Sequence, residues 1–172
     1  MIKIGLISDT HGYLDDRIFH HFQECDEIWH AGDIGTIDVY DQLVAFKPLK
    51  AVYGNIDGGD LRKVCKENLR WNCEGLDVWI THIGGRPGNY ALPVREEIRR
   101  NPPQIFVCGH SHICSVQMDK KNNMLYLNSG AAGKHGFHKV RTLLRFTIDG
   151  TIKNMEVVEL GARVGVQSES GE

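Results

Sequence analysis

The sequence predicts an α/β fold, because apolar runs alternate with helical patterns in the first half of the chain. In the second half, short turn sequences separate the apolar runs, and Asp149-Gly150 is a dipeptide typical of two-residue hairpins. The first half therefore favours parallel strands covered by helices, and the second half mostly antiparallel strands. The length of 172 residues suits one domain, placed at residues 1–163, and the loss of periodicity over 164–172 predicts a flexible tail.

In the first half, strands and helices follow one another with short connections. The apolar and amphipathic runs predict strands over 2–8, 27–30 and 49–53, and helices over 15–25 and 36–46. In the second half, Glu74-Gly75 can turn a hairpin, and Pro102-Pro103 ends a helix. The patterns there predict a hairpin of 68–73 with 77–81, a helix over 92–101, a strand over 104–108, and hairpins of 116–120 with 124–128 and of 140–148 with 151–160.

Composition excludes several classes of function. The formal charge of −2 offers no field for nucleic acid or anionic lipid, and no run approaches the ~20 apolar residues of a membrane helix. The five cysteines are odd in number and lack C-x-x-C spacing, which favours reduced thiols in a cytoplasmic protein and no metal held by sulfur. The sequence leaves oligomeric state open, a homo-oligomer included.

Polar residues with metal-ligand chemistry follow five of the predicted strands. Ligands of α/β sheets bind beyond the carboxyl ends of strands, so these side chains should converge although they are far apart in sequence. Taken singly, each has a simpler explanation as a helix cap, a turn residue or a core histidine. Turn chemistry does not explain four histidines at strand ends, however. The residues concerned are Asp9, His11, Asp33, Asn55, His82, His110 and His112.

Seven ligands are too many for one catalytic zinc, which has three protein ligands and an open position, and they suit two metal ions. Imidazole and oxygen donors without thiolate favour Mn, Fe, Co, Ni or Zn over Ca or Mg. Two divalent ions carry four positive charges, of which Asp9 and Asp33 neutralise two. The remaining positive charge would attract a phosphate ester.

The motifs D9-x-H11, G32-D33, G54-N55, H82 and G109-H110-x-H112 occur in this order. The chain thereby resembles the calcineurin-like metallophosphoesterases, and its length resembles their small bacterial and archaeal phosphodiesterase branch. The resemblance implies a four-layer αββα sandwich of two mixed β-sheets flanked by helices. It also implies a dinuclear metal-dependent phosphoesterase, with phosphodiesters favoured over monoesters, in which a metal-activated hydroxide attacks phosphorus in line. Manganese is the favoured metal, and the partner is a small-molecule phosphate ester.

The resemblance also implies a role for each ligand. Asp33 would bridge the two ions, and with Asn55 and His82 it forms the predicted catalytic set. One ion would be held by Asp9, His11 and His112, and the other by Asn55, His82 and His110. The chain departs from the family pattern at Ile56, where larger members carry a histidine that protonates the leaving oxygen. Isoleucine cannot donate a proton, so the usual general acid is missing.

Several further residues are candidates from position alone. His30 is predicted to support the site or to pack in the core rather than to bind metal. Residues 128–133 resemble the family's late Gly-rich loop, although Ser129 stands where the family leads us to expect proline. His135 and His138 follow this loop, and each is a candidate either for reaching the substrate or for a place on the surface. Arg86 is a candidate phosphate clamp.

Two rival functions remain open from sequence. The same fold also occurs in a non-enzymatic subunit of a trafficking complex that binds other proteins, although the full ligand set argues against that reading. A zinc amidohydrolase also uses His-x-His, but near the N-terminus of a barrel of ~250 residues.

Overall fold

The computed structural model describes residues 1–164, in which strands and helices alternate, and the predicted tail from residue 165 on lies outside the described residues. The helices are α1 Arg17–His21, α2 Ile37–Phe46, α3 Gly59–Val64 and α4 Leu92–Arg100. The strands are β1 Ile2–Ile7, β2 Glu27–His30, β3 Leu49–Ala51, β4 Asn68–Cys73, β5 Leu76–Thr81, β6 Gly85–Arg86, β7 Asn89–Tyr90, β8 Ile105–Cys108, β9 Cys114–Asp119, β10 Met124–Ser129, β11 Val140–Ile148 and β12 Ile152–Ala162. No helix in residues 1–164 is long and apolar enough to cross a membrane.

Most strands belong to two five-stranded mixed sheets. The first has the order β12-β11-β1-β2-β3. In this sheet β1, β2 and β3 are parallel, β11 is antiparallel to β1, and β12 is antiparallel to β11. The second has the order β4-β5-β8-β10-β9, in which the three central strands are parallel and the two edge strands antiparallel. Both sheets therefore present the carboxyl ends of parallel strands, which is where ligands bind in α/β folds.

Three apolar clusters hold four layers together. Between the sheets, Leu6 and Trp29 of the first pack with Val78, Val107 and Leu127 of the second, all buried. Alternate side chains of a strand point to opposite faces, so Ile28, next to Trp29, belongs to a different cluster on the outer face of the first sheet.

The outer faces of both sheets are covered by helices. Ile18 of α1, Leu43 of α2 and Leu61 of α3 belong to the cluster on the first sheet. On the second sheet, Val94 and Ile98 of α4 belong to a cluster with aromatic residues of the strands, including Trp79, Phe106 and Tyr126. The predicted four-layer αββα arrangement of two mixed sheets is thereby confirmed.

The structure departs from the sequence prediction in a few local elements. Helix α1 spans only Arg17–His21 rather than 15–25. The amide of Cys25 bonds to Phe22 O at 3.0 Å and that of Asp26 to Lys3 O at 2.8 Å, so the chain has already turned towards β2. The sequence did not predict α3, which begins with the glycines Gly58 and Gly59, residues that disfavour a helix. It also did not predict the β6–β7 pair, whose strands have two residues each.

Candidate metal centre

All seven predicted ligands lie in loops that follow strands, and backbone hydrogen bonds hold these loops together. The loop after β1 is joined to the loop after β2 by Asp9 N to Gly32 O at 2.9 Å and His11 N to Asp33 O at 3.0 Å. The loop after β8 is joined to the end of β5 by Gly109 N to His82 O at 3.0 Å. The convergence predicted from strand ends is therefore present.

The backbone is strained where the predicted ligands lie. Eight residues other than glycine among 1–164 have positive φ, and five of them are predicted ligands: Asp9, His11, Asp33, His110 and His112, with φ between 47° and 69°. A residue with a side chain pays about 1–3 kcal/mol for such a conformation, which persists only where surrounding structure enforces it. Concentration of this strain at one place is typical of a functional site.

Two groups of potential ligand atoms lie side by side. Asp9, His11 and His112 form one group, and Asp33, His82 and His110 form the other, with the ligand atoms of each group within 4.8 Å of one another. Asp33 Oδ2 lies between them, 3.4 Å from His11 Nε2 and 3.2 Å from His82 Nε2. Asn55 adjoins the second group, since its Oδ1 is 3.0 Å from His110 Nδ1.

Several atoms of this centre are buried without a hydrogen-bond partner. Among residues 1–164, four buried side-chain polar atoms lack one, and three of them are Asp9 Oδ1, His11 Nε2 and His82 Nε2; the fourth is Arg145 Nε. A buried unsatisfied polar atom costs about 1–3 kcal/mol. Because the acceptor atoms converge, a cation among them would remove that cost. Each group has one carboxylate and two imidazoles, which fits a divalent transition metal.

Neighbouring groups determine which atoms of these side chains face the centre. Asp9 Oδ2 accepts hydrogen bonds from Ser8 Oγ at 2.5 Å and from His110 N at 3.1 Å, so only Oδ1 is left unpaired. His82 Nδ1 is 2.7 Å from Ala31 O, which can only accept, so Nδ1 carries a hydrogen and Nε2 is the nitrogen that faces the centre. Both side chains are therefore oriented for metal binding.

Both aspartates are held as carboxylates. Burial opposes the charge of Asp9, but the adjacent His11 and His112 rings and the Ser8 hydroxyl outweigh it, so its pKa lies below the ordinary value. Burial likewise opposes the charge of Asp33, and contact with His82 together with the Ile56 amide lowers its pKa. Ionised carboxylates are the form that binds metal.

The glycines of the motifs are explained by close approach to ligands. A side chain at Gly54 would collide with Asp33 Oδ1, and one at Gly109 would collide with Ser8 Oγ and approach Asp9 Oδ2 to 2.7 Å. The paired motifs G54-N55 and G109-H110 thus combine a ligand with the space that a neighbouring ligand needs.

An open cavity of about 520 Å³ lies over the two groups. Its lining includes Asp33, Asn55, His110 and His112, together with Ile56. Ile56 donates its backbone N–H to Asp33 Oδ1 at 3.1 Å, and the residue is about half exposed. The departure from the family pattern therefore lies beside the candidate ligand Asp33.

Of the three further candidates from the sequence, His135 and His138 lie at this cavity and Arg86 does not. His135 lines the cavity and stacks on His11, with ring centroids 4.8 Å apart, and His138 lines the cavity beside His112. Arg86 lies exposed in β6 and, within the described residues, is absent from the lining of both cavities that border the ligands. The structure therefore does not support Arg86 as a phosphate clamp.

Comparison of the sequence with known families decides the relationship. The profile of the calcineurin-like phosphoesterase superfamily domain matches residues 2–151, a range that contains all seven predicted ligands. The chain belongs to this superfamily. A relative from Methanocaldococcus jannaschii, named a probable metallophosphoesterase, is 32% identical over 136 residues, which are 74% of this chain and 67% of the relative. Another of that name, from Methanothermobacter thermautotrophicus, is 25% identical over 166 residues, 94% of each protein.

Solved structures show the same fold. An archaeal phosphodiesterase has a TM-score of 0.75 and 20% identity, covering 92% of this chain and 100% of that one. Vps29 from Chaetomium thermophilum has a TM-score of 0.72 and 15% identity, covering 93% of this chain and 97% of that one. At these identities, the likeness concerns the calcineurin-like fold alone.

Two residues that support the loops of this calcineurin-like centre escaped the sequence prediction. The buried Asp57 carboxylate accepts hydrogen bonds from the amides of Ile34 at 3.1 Å and Gly35 and Gly54 at 2.8 Å, which joins the loops after β2 and β3. Asn128 donates to Gly109 O at 3.1 Å and thereby holds the loop that carries His110. The available signals were the position of Asp57 shortly after G54-N55 and that of Asn128 near the end of a strand. Neither position indicates which backbone groups the side chain will bond to.

His138 determines which nitrogen of His112 faces the centre. His138 Nε2 lies 2.8 Å from Gly133 O, which can only accept, so this nitrogen carries the proton and Nδ1 is an acceptor. His112 Nδ1, 3.3 Å away, therefore donates to His138, and its Nε2 faces the centre, 3.1 Å from Asp9 Oδ1. From sequence, His138 was a candidate either for reaching the substrate or for a place on the surface, whereas its contacts are those of a residue that orients a ligand.

We expect His138→Ala to weaken metal binding at the group of Asp9, His11 and His112 by about 10–100-fold, because the His112 ring loses the acceptor that orients it. Calorimetric titration of metal into chelated protein measures the change. His20→Ala, at an exposed histidine of α1, is the matched control and should bind metal like the wild type. Equal affinities for His138→Ala and His20→Ala would contradict the orienting role.

His30 is buried as a neutral ring that joins two loops. Its Nδ1 accepts from Gly32 N at 3.1 Å, so Nε2 carries the hydrogen towards Thr10 Oγ1 at 3.0 Å. Burial lowers the pKa of His30 from 6.5 to about 4. His30 thus supports the loops after β1 and β2, as its sequence position predicted.

This shift makes stability depend on pH. Below pH 6.5 the unfolded chain binds a proton at His30 that the folded chain excludes until about pH 4, so the free energy of unfolding falls as pH decreases through that window. We expect His30 to account for a loss of about 2 kcal/mol between pH 7 and pH 5. Urea denaturation of metal-free protein at pH 7 and pH 5 measures this loss of unfolding free energy. The variant His30→Gln should lack the part of the loss that comes from His30. An unchanged pH dependence in His30→Gln would refute it.

Proposed function

We propose that the chain is a metal-dependent phosphodiesterase with a dinuclear centre. The observation that supports this most strongly is the convergence of buried, unpartnered polar atoms of Asp9, His11 and His82 around the carboxylate of Asp33. A bound cation would satisfy these atoms, each of which destabilises the fold while it is buried and unpaired. Membership of the calcineurin-like phosphoesterases points to hydrolysis as the reaction.

In this proposal one ion is held by Asp9, His11 and His112, and the other by Asn55, His82 and His110. Asp33 contributes to both, because its Oδ2 lies within 3.4 Å of a ring nitrogen of each group. The donors are imidazoles and oxygens, and we favour manganese, with Fe, Zn, Ni and Co as alternatives. When bound, the two ions supply positive charge for the phosphoryl oxygens and lower the pKa of a water molecule.

The protein's own contribution is to orient these ligands before substrate arrives. The carbonyl of Ala31 directs His82 Nε2 inwards, and the Ile56 amide holds Asp33 Oδ1 so that Oδ2 faces both groups. The charge of each carboxylate is maintained by the neighbouring imidazoles. A preorganised centre of this kind needs no rearrangement as charge develops on phosphorus.

We favour diesters over monoesters on grounds of charge. A monoester carries close to two negative charges at pH 7, because its second pKa is about 6, whereas a diester carries one. Among described residues, no lysine or arginine lines the cavity over the ligands, so the metals would be the source of positive charge there. The archaeal phosphodiesterase of the same fold agrees with this choice.

We further propose that residues 1–163 act as one domain, because the apolar cluster between the sheets contains residues of both. A cytoplasmic location accords with the five cysteines, all of which are free thiols. The substrate in this proposal is a small-molecule phosphate ester.

Hydrolysis of two esters of the same phenol tests the proposal. Manganese-loaded protein should hydrolyse bis(4-nitrophenyl) phosphate with a higher kcat/KM than 4-nitrophenyl phosphate, and exhaustive chelation should remove both activities. A higher kcat/KM for the monoester would refute the diester preference. If the metal-loaded protein hydrolysed neither ester, a non-enzymatic protein-binding role on this fold would replace the proposal.

A further inference from the structure

Three large apolar residues surround the mouth of the cavity over the metal ligands. They are Ile56, Ile113 and Phe137, with fractional exposures of 48%, 67% and 102%, and we call them the apolar rim. Each is next in sequence to a residue of the site: Ile56 follows Asn55, Ile113 follows His112, and Phe137 precedes His138. Three separate loops therefore bring apolar side chains to one polar centre.

Exposed apolar residues are common singly, but a group of them beside a functional site usually marks a surface that binds something. Phe137 offers a whole aromatic ring to solvent, and the ring would gain most from being covered. Because the rim and the metal ligands line the same cavity, a molecule that is bound there through its phosphate group lies beside the rim. The position of the rim therefore favours a part of the substrate itself as the group that covers it.

The charges around the cavity indicate which kind of substrate group can lie against the rim. Within the described chain, the residues lining this cavity include no lysine, arginine or glutamate. A charged substituent placed against Ile113 and Phe137 would therefore lose hydration without a lysine, arginine or glutamate to pair with it. A second cavity, of about 620 Å³, also borders Asn55 and His82 and differs in character, because its lining includes Arg62, Glu67, Arg70 and Glu97. Beside one centre, the first cavity thus has an apolar rim, and the second is lined by charged side chains of both signs.

We propose that the apolar rim binds an uncharged aromatic or alkyl ester group of the substrate, which makes the preferred substrate a phosphodiester with at least one such group. This rests on the proposed phosphodiesterase function and extends it to substrate class. Phe137 and Ile113 are the specificity-determining residues, because their side chains are the more exposed and neither is a candidate ligand.

The test compares 4-nitrophenyl diesters that share one leaving group and differ in the other ester group: methyl, benzyl or 4-carboxybenzyl. Covering the benzyl group should raise kcat/KM about tenfold over methyl, and the carboxylate should cancel that gain. Phe137→Ser and Ile113→Ser should each reduce the benzyl to methyl ratio towards one. Leu92→Ser, at an exposed leucine outside this cavity, is the control and should keep the wild-type ratio.

A binding measurement separates this inference from the proposed activity. Calorimetry should give a lower Kd for benzylphosphonate than for methylphosphonate, and Phe137→Ser should abolish the difference. Hydrolysis of all three diesters at equal rates would refute the binding of an ester group at the rim but would not contradict the phosphodiesterase activity. An absence of hydrolysis together with a Phe137-dependent preference for benzylphosphonate would uphold the rim and refute the activity. Equal Kd values for the two phosphonates would overturn the rim.

Discussion

Asp33→Asn should lower phosphoesterase activity by more than about 100-fold, because one oxygen of this carboxylate faces both groups of ligands. Asparagine keeps the size of the side chain and can still accept the Ile56 amide through its Oδ1, so the fold should persist. It loses the negative charge that two cations would share, however. The metal content of the purified variant, measured by plasma emission, should therefore fall for both ions.

His82→Ala is the matched comparison for Asp33→Asn. His82 belongs to one group of ligands, so its loss should weaken the binding of one ion and leave the other ion bound. Thermal unfolding of both variants shows whether either change simply prevents folding. An Asp33→Asn protein that is folded and keeps the wild-type metal content would show that Asp33 does not bridge.

The second large effect is expected at Ile56. An alkoxide leaving group develops negative charge that a general acid stabilises by about 10²–10⁴-fold, whereas a nitrophenolate leaves without a proton. Because the wild type lacks a histidine at this position, its rate should fall steeply as the pKa of the leaving group rises. Ile56 is half exposed in the cavity, so Ile56→His would place an imidazole there and should raise rates on alkyl esters by about 10²-fold.

Rates on a series of aryl and alkyl diesters measure this dependence. Ile56→Asn is the control, because asparagine is polar but is not a general acid, and it should keep the steep slope. A shallow slope in the wild type that His135→Ala makes steep would show that His135 already protonates the leaving group. A shallow slope that survives His135→Ala and His138→Ala would refute this account of position 56.

Much of this arrangement could be predicted from sequence, because each strand is short, apolar and followed at once by its polar residue. The strand Ile105–Cys108, for example, leads directly to His110 and His112, and topology then places them near Asp9. Local patterns suffice where the function requires residues at strand ends. Membership of the superfamily and its fold followed from the same motifs.

The interactions that orient the ligands could not be predicted in the same way. Asp57, Asn128 and His138 act through hydrogen bonds to residues of other loops, and no periodicity indicates such partners. The apolar rim was equally hidden, because Ile113 and Phe137 are far apart in sequence and share a cavity only after folding. Long-range contacts thus decide the details of the site, and local sequence decides its position.

Metal titration followed by hydrolysis measures the central claim most directly. Chelated protein would be titrated with Mn²⁺ while bound metal per chain and the rate on bis(4-nitrophenyl) phosphate are recorded together. We predict no activity before metal is added, binding of two ions per chain, and full activity only when both are bound. Activity that persists after exhaustive chelation, or a folded chain that binds no Mn²⁺, would contradict the account.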